Sequence, residues 1–137
     1  MLRPETKARA RALQMLYAWE VGGGRELTGT STGVARLTGP EPLIFDQAES
    51  LALSVVAERD LLDRTASAAA DNWRIDRMAV VERNILRLGI HELRSGRVPP
   101  KVAIDEAVRL AYWFGGPRSP GFVNGVLDRV AHQLGCL

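Results

Sequence analysis

Glycine and proline punctuate this chain at intervals that leave room for helices and for little else. Between the breaks, apolar residues recur at the helical period, and no stretch alternates as a half-buried strand would. The first such segment runs from about Pro4 to Glu20, with proline near the first helical position, where its missing N–H would have been unpaired anyway. Ala10, Leu13, Tyr17 and Val21 fall on one face with Leu16 beside them, and Gly22-Gly23-Gly24 stops the helix. No periodic signal follows until after Gly39-Pro40-Glu41-Pro42. A connection spanning 22–42 exceeds the usual length and is expected to be mobile, or ordered only by a partner. The pattern resumes at Leu43, with Ile44, Ala48, Leu51, Ala52 and Val55 in one stripe and Leu62, Ala66, Ala69 and Trp73 in another. Leu43 to Trp73 is long for one globular helix, which favours two.

Asp76 to Ser95 is apolar on more than one side. Met78, Val81, Ile85 and Leu88 make one stripe, and Ala79, Leu86, Ile90 and Leu93 its neighbour, as in a central helix touched by several others. Gly96 ends it and Pro99-Pro100 forces an extended link. The next helix should bury Ile104, Ala107, Val108, Ala111 and Phe114 before Gly115-Gly116-Pro117 closes it. Ser119 followed by Pro120 reads as an N-cap with proline in the first turn. The last helix then packs Val123, Val126, Leu127, Val130 and Leu134. The chain has 137 residues, a length that fits one domain. The expectation is an all-α fold, a single compact domain over 1–137 built as a bundle of about six or seven helices.

Several function classes fall away. Cys136 is the single cysteine, so a disulfide within the chain and a cysteine-based zinc site are excluded. No apolar run reaches the roughly 20 residues that span a bilayer, and the charged N-terminus is unlike a signal core, so a cytoplasmic, soluble protein with no membrane partner is expected. His91 and His132 lack acidic partners at metal-ligand spacing, and His91, inside the central helix, reads as a satisfied or partly exposed histidine. Asp105 and Glu106 are adjacent on a helix, about 100° apart, and cannot share a substrate. The triple glycine follows a helix rather than a strand, so it terminates and does not cradle phosphate. No catalytic residue, metal or cofactor is expected.

Charge layout carries more. Lys and Arg total 18 against 16 acids, and all but two of the cations are arginine, the residue that forks onto phosphate and stacks on bases. Arg3, Lys7 and Arg11 are spaced four apart and form a ridge along the first helix, extended by Gln14 and ending near Tyr17. Such a ridge suits single-stranded nucleic acid, with phosphates on the cations and a base on the amide and phenol. The competing reading is a solvated helix face with Tyr17 in the core. The RNA reading requires that these cations stay together and are not neutralised by internal carboxylates. A second basic concentration runs Arg74, Arg77, Arg83, Arg87, Arg94, Arg97, Lys101; it could equally pair with Asp76, Glu82 and an acidic stretch upstream. That stretch holds Glu41, Asp46, Glu49, Glu58, Asp60 and Asp63, and predicts an acidic surface for a basic protein partner.

Longer motifs point to a family. Arg11-Ala12-Leu13-Gln14-Met15-Leu16-Tyr17, Asp71-Asn72-Trp73, and the run from Asp76 through Glu82-Arg83-Asn84-Ile85 to Gly89 resemble the bacterial NusB transcription antitermination family. So do Glu92-Leu93, Pro99 through Val108, Phe114-Gly115, and Ser119 with Phe122-Val123-Asn124-Gly125-Val126-Leu127-Asp128. The resemblance implies a non-catalytic helical factor that binds boxA RNA of ribosomal operons. It would act with the ribosomal protein NusE and join elongating RNA polymerase with NusA and NusG. Arg3, Lys7 and Arg11 occupy the region of the family's arginine-rich motif, Tyr17 matches a tyrosine position, and Phe122 matches the aromatic at the start of the last helix. Glu82 matches an acidic position that looks like part of the ribosomal-protein contact. This chain departs by placing Glu5 and Thr6 inside the N-terminal basic run. Gly116-Pro117-Arg118 stands where acids often precede the serine, which adds a possible phosphate contact at Arg118.

Within the last motif, Phe122 reads either as an RNA or partner contact or as packing, Val123 as core, and Gly125 as a site of close helix approach. Two other functions stay open on these residues. A similar helical domain is attached to some ribosomal RNA cytosine methyltransferases, although the sequence to Leu137 has no glycine-rich strand–turn–helix motif for their cofactor domain. A helical adaptor that binds only protein is the other, and some family members resemble homodimers that bury the RNA ridge.

Overall fold

The computed structural model describes residues 2–24, 27, 41–70 and 77–137. Most of the 22–42 connection, and Asp71-Asn72-Trp73 through Asp76 with Arg74, therefore lie outside the described residues. Among those described there are six helices and no strand: α1 (Pro4–Val21), α2 (Pro42–Ala57), α3 (Arg59–Ala69), α4 (Val80–Ser95), α5 (Pro100–Phe114) and α6 (Ser119–Gln133). The all-α expectation holds, and the pattern after Leu43 resolves into two helices, broken at Glu58. None of the helices is long and apolar enough to cross a membrane. The helices group into two compact units, one up to Ala57 and one from Glu58 onward.

In the first unit α1 packs on α2. Pro4 starts α1, and Gly23 and Gly24 follow it at φ 93° and 71°, with the Gly24 N–H closing on the Trp19 carbonyl. The buried face is Thr6, Ala8, Arg9, Ala12, Leu13, Met15, Leu16 and Trp19. This corrects the expected stripe: only Leu13 and the adjacent Leu16 are buried, while Tyr17 and Val21 are 45% and 63% exposed. Alanine is a weak apolar signal in sequence, yet it is what lets two helices come close. Ala8 and Ala12 are buried on α1, as are Ala48 and Ala52 on α2.

In the second unit α4 is the centre, touching α3, α5 and α6. Nine of its residues are buried, which needs contact on several sides. A Cβ at Gly89 would lie 2.6 Å from Leu127 Cδ1 and 3.4 Å from Ala107 Cβ, so glycine is what lets α4, α5 and α6 meet there. Gly96 ends α4 in the left-handed conformation at φ 70°. Expected core positions Ile104, Ala107, Ala111, Val123, Val126, Leu127 and Val130 are buried. Phe114 and Leu134 are instead 40% and 39% exposed, Phe114 as the last residue of its helix and Leu134 just past the end of its own.

Candidate nucleic-acid interface

The cations of α1 do share one side of the helix, but they are not equally available. Arg3, at the N-cap position, is exposed, and its carbonyl accepts the Lys7 N–H. Lys7 and Gln14 are half-buried, and Tyr17 presents its ring to water rather than to the core. Arg11 is only 13% exposed at its side chain, and its Nη2 donates to Glu41 Oε1 at 2.7 Å. Lys7 Nζ sits 3.8 Å from the other oxygen of the same carboxylate. Glu41 stands one residue before α2, where its carbonyl accepts the Phe45 N–H. One internal carboxylate thus neutralises Arg11 and faces Lys7, so the condition set on the ridge fails at Arg11 and the cations left for an outside anion narrow to Arg3 and part of Lys7. Arg9, off the four-residue spacing, is buried.

Arg118 and Phe122 belong to the second unit. Arg118 is exposed in the α5–α6 turn, and its carbonyl accepts the Phe122 N–H, so the two lie one turn apart at the start of α6. Phe122 is half-buried and borders an open groove of about 240 Å³ with Ala69, Ala70, Gly121, Gly125, Val126 and Arg129. The expectation for Gly125 fails here. Nothing lies within 4 Å of a Cβ built on it, so it lines open space rather than permitting close helix packing.

Glu82, in the first turn of α4, is half-buried. Its Oε2 accepts the Ser119 hydroxyl at 2.7 Å, and that hydroxyl oxygen accepts the Gly116 N–H at 2.9 Å. Ser119 is therefore not the N-cap expected of it. It is the first residue of α6, is 3% exposed, and ties the turn carrying Arg118 to α4. Gly115 makes room for this, since a Cβ there would meet Ser119 Oγ at 2.7 Å and the Ala111 carbonyl oxygen at 2.8 Å.

Much of the expected acidic surface turns inward in the same way. Asp63 takes Arg87 in a two-point fork, with Nε at 2.7 Å and Nη2 at 2.9 Å, and Arg87 Nη1 also donates to Asn84 Oδ1. Arg87 is thus a buried structural cation. Glu58 accepts from His91 Nδ1 at 2.8 Å, so His91 is a satisfied histidine as its place in the central helix suggests. Asp46 and Asp60 stay exposed.

Sequence reasoning passed over the end of α5. Tyr112, Trp113 and Phe114 are 74%, 44% and 40% exposed. The signal was there: three consecutive aromatics on a helix point about 100° apart and cannot all face one core.

These features define an all-helical protein with outward cations at the start of α1 and the α5–α6 turn, and also at Arg94, Arg97 and Lys101 around the α4–α5 link. The chain belongs to the NusB family, whose pattern matches residues 6–132. It is 43% identical to the transcription antitermination protein NusB of Anaeromyxobacter sp. (strain Fw109-5), over 94% of this chain and 90% of that relative. Its fold is similar to that of T. maritima NusB, with a TM-score of 0.85, 28% identity, and 97% and 94% of the two chains covered. It is equally similar to a chain in the crystal structure of antitermination factors NusB and NusE in complex with dsRNA. There the TM-score is 0.85, the identity 27%, and 97% and 99% of the two chains are covered.

Proposed function

We propose that the chain is a non-catalytic, cytoplasmic transcription antitermination factor. In this reading it binds boxA RNA of ribosomal operons together with the ribosomal protein NusE, and joins elongating RNA polymerase with NusA and NusG. The observation that supports the RNA role is α1, where Arg3 and Lys7 at its start and Tyr17 toward its end reach solvent along one helix. The positive end of the helix dipole adds to their attraction for phosphate. An exposed phenol ring offers its face to an unpaired base, which a duplex would keep within its own stack. The membership in the NusB family, and a similar fold in a complex with NusE and RNA, support the choice of partners.

The test is fluorescence anisotropy with single-stranded boxA RNA, with and without NusE. Replacing Arg3 and Lys7 together by alanine should weaken binding at low salt. It should also flatten the dependence of log affinity on log salt by about 1.4, from about 0.7 for each of two phosphates on a single strand. Helix content by circular dichroism should not change, since both side chains reach water. Equal affinity and slope for the variant and the parent would move the site off α1.

A further inference from the structure

Outside the α1 ridge, the most unusual surface is the last turn of α5. Tyr112 is 74% exposed and Trp113 44% exposed, a large aromatic area to leave in water. The Trp113 ring is held rather than loose. Trp113 meets Phe114 edge to face, with centroids 6.3 Å apart and planes at 89°, and the Arg109 guanidinium lies 5.8 Å from the Trp113 ring centroid. Arg109 is itself about half exposed, and its contact to Glu106 is a loose 3.9 Å. From Arg109 to Leu127 the sequence carries Arg109 and Arg118 and no carboxylate.

We infer that Tyr112 and Trp113, flanked by Arg109, form a second contact for the unpaired RNA strand, a stacking platform for its bases. The inference rests on the RNA reading above and extends it to the second unit. The chemistry favours this occupant over a protein. A flat ring already bearing a cation, in a stretch without acids, matches a ligand that is planar and anionic at once; stacking on such rings is sequence-tolerant because every base has a π-face. A basic ribosomal-type protein would be repelled by the same arginines.

Trp113→Ala and Tyr112→Ala are each expected to weaken a boxA-containing RNA about fivefold, the equivalent of losing one stacked base. Trp113→Phe should restore most of the affinity, and the unfolding midpoint of Tyr112→Ala should stay at the parent value. RNA binding should quench the tryptophan emission of the parent and quench Trp113→Phe less. Scanning abasic sites along the RNA should find at least one that weakens the parent and leaves Trp113→Ala unaffected. If the parent binds the RNA but all three variants match it in affinity and quenching, the platform is refuted while the RNA reading survives. If the parent itself does not bind, the RNA reading fails first. Loss of NusE binding in Tyr112→Ala with RNA affinity intact would make the patch a protein interface and overturn the proposal.

Discussion

At the scale of single residues, the decisive group is Glu41. Its carboxylate accepts from Arg11 and faces Lys7, so at the proposed site RNA phosphate would compete with a tethered anion for the same cations. Glu41→Gln keeps the side chain's size and removes the charge. In anisotropy at low salt it should tighten boxA RNA binding about threefold, in the range of a partly exposed ion pair; unchanged or weaker binding would show that the Arg11 cation is not part of the RNA site. Asp63 is a different case. Its fork onto Arg87 compensates a cation that is only 4% exposed. Asp63→Ala should cost about 3 kcal/mol in urea unfolding, because it removes the carboxylate that answers a buried guanidinium's charge. A loss under about 1 kcal/mol would mean that Asn84 and water replace the carboxylate. Neither pairing could be read from the sequence. The partners are 30 and 24 positions apart, and charge spacing along one helix says nothing about a carboxylate arriving from another.

At the scale of elements, legibility followed the strength of the apolar period and the punctuation around it. Val80–Ser95, Pro100–Phe114 and Ser119–Gln133 carry branched aliphatics at helical spacing between glycines and prolines, and their buried residues largely match expectation. In α1 the existence and bounds of the helix were legible from Pro4 and Gly22, but its buried side was not, because alanines define it. That error placed Tyr17 on the core stripe as well as beside the ridge, and the structure settles it as exposed. The turn between α5 and α6 was read as a terminator followed by a cap. Its real task is to set the Ser119 hydroxyl between the Gly116 N–H and Glu82. Gly115→Ala should therefore act at a distance. Its Cβ forces Ser119 away, with an expected loss of about 2 kcal/mol from overpacking and the broken hydrogen bond. Ser119→Ala in the same background should then cost little more; a fully additive loss would show that the two do not share one contact.

At the scale of the whole molecule, the sequence's near balance of 18 cations and 16 acids hides how many of them answer one another. Arg11 and Arg87 meet Glu41 and Asp63, and Glu58 is taken up by His91, so the expected polarity between a basic and an acidic face is weaker than the residue list suggests. Of the cations that remain outward, Arg3, Arg109 and Arg118 stand beside the proposed RNA contacts, while Arg94, Arg97, Lys101 and others are exposed elsewhere. If Arg3, Arg109 and Arg118 are the phosphate contacts, log affinity should fall by about 2 per tenfold rise in salt on a single strand. A slope steeper than about 4 would require cations beyond these.

The bond from Ser119 to Glu82 bears on cooperativity. A cationic partner that draws the Glu82 carboxylate toward itself also pulls on the hydroxyl fixing the turn that holds Arg118. NusE and RNA would then report on each other through one hydrogen-bonded pair, and linkage makes the effect mutual: whatever factor NusE exerts on RNA affinity, RNA must exert on NusE. Severing that pair with Ser119→Ala should bring the factor toward one while leaving each ligand able to bind alone.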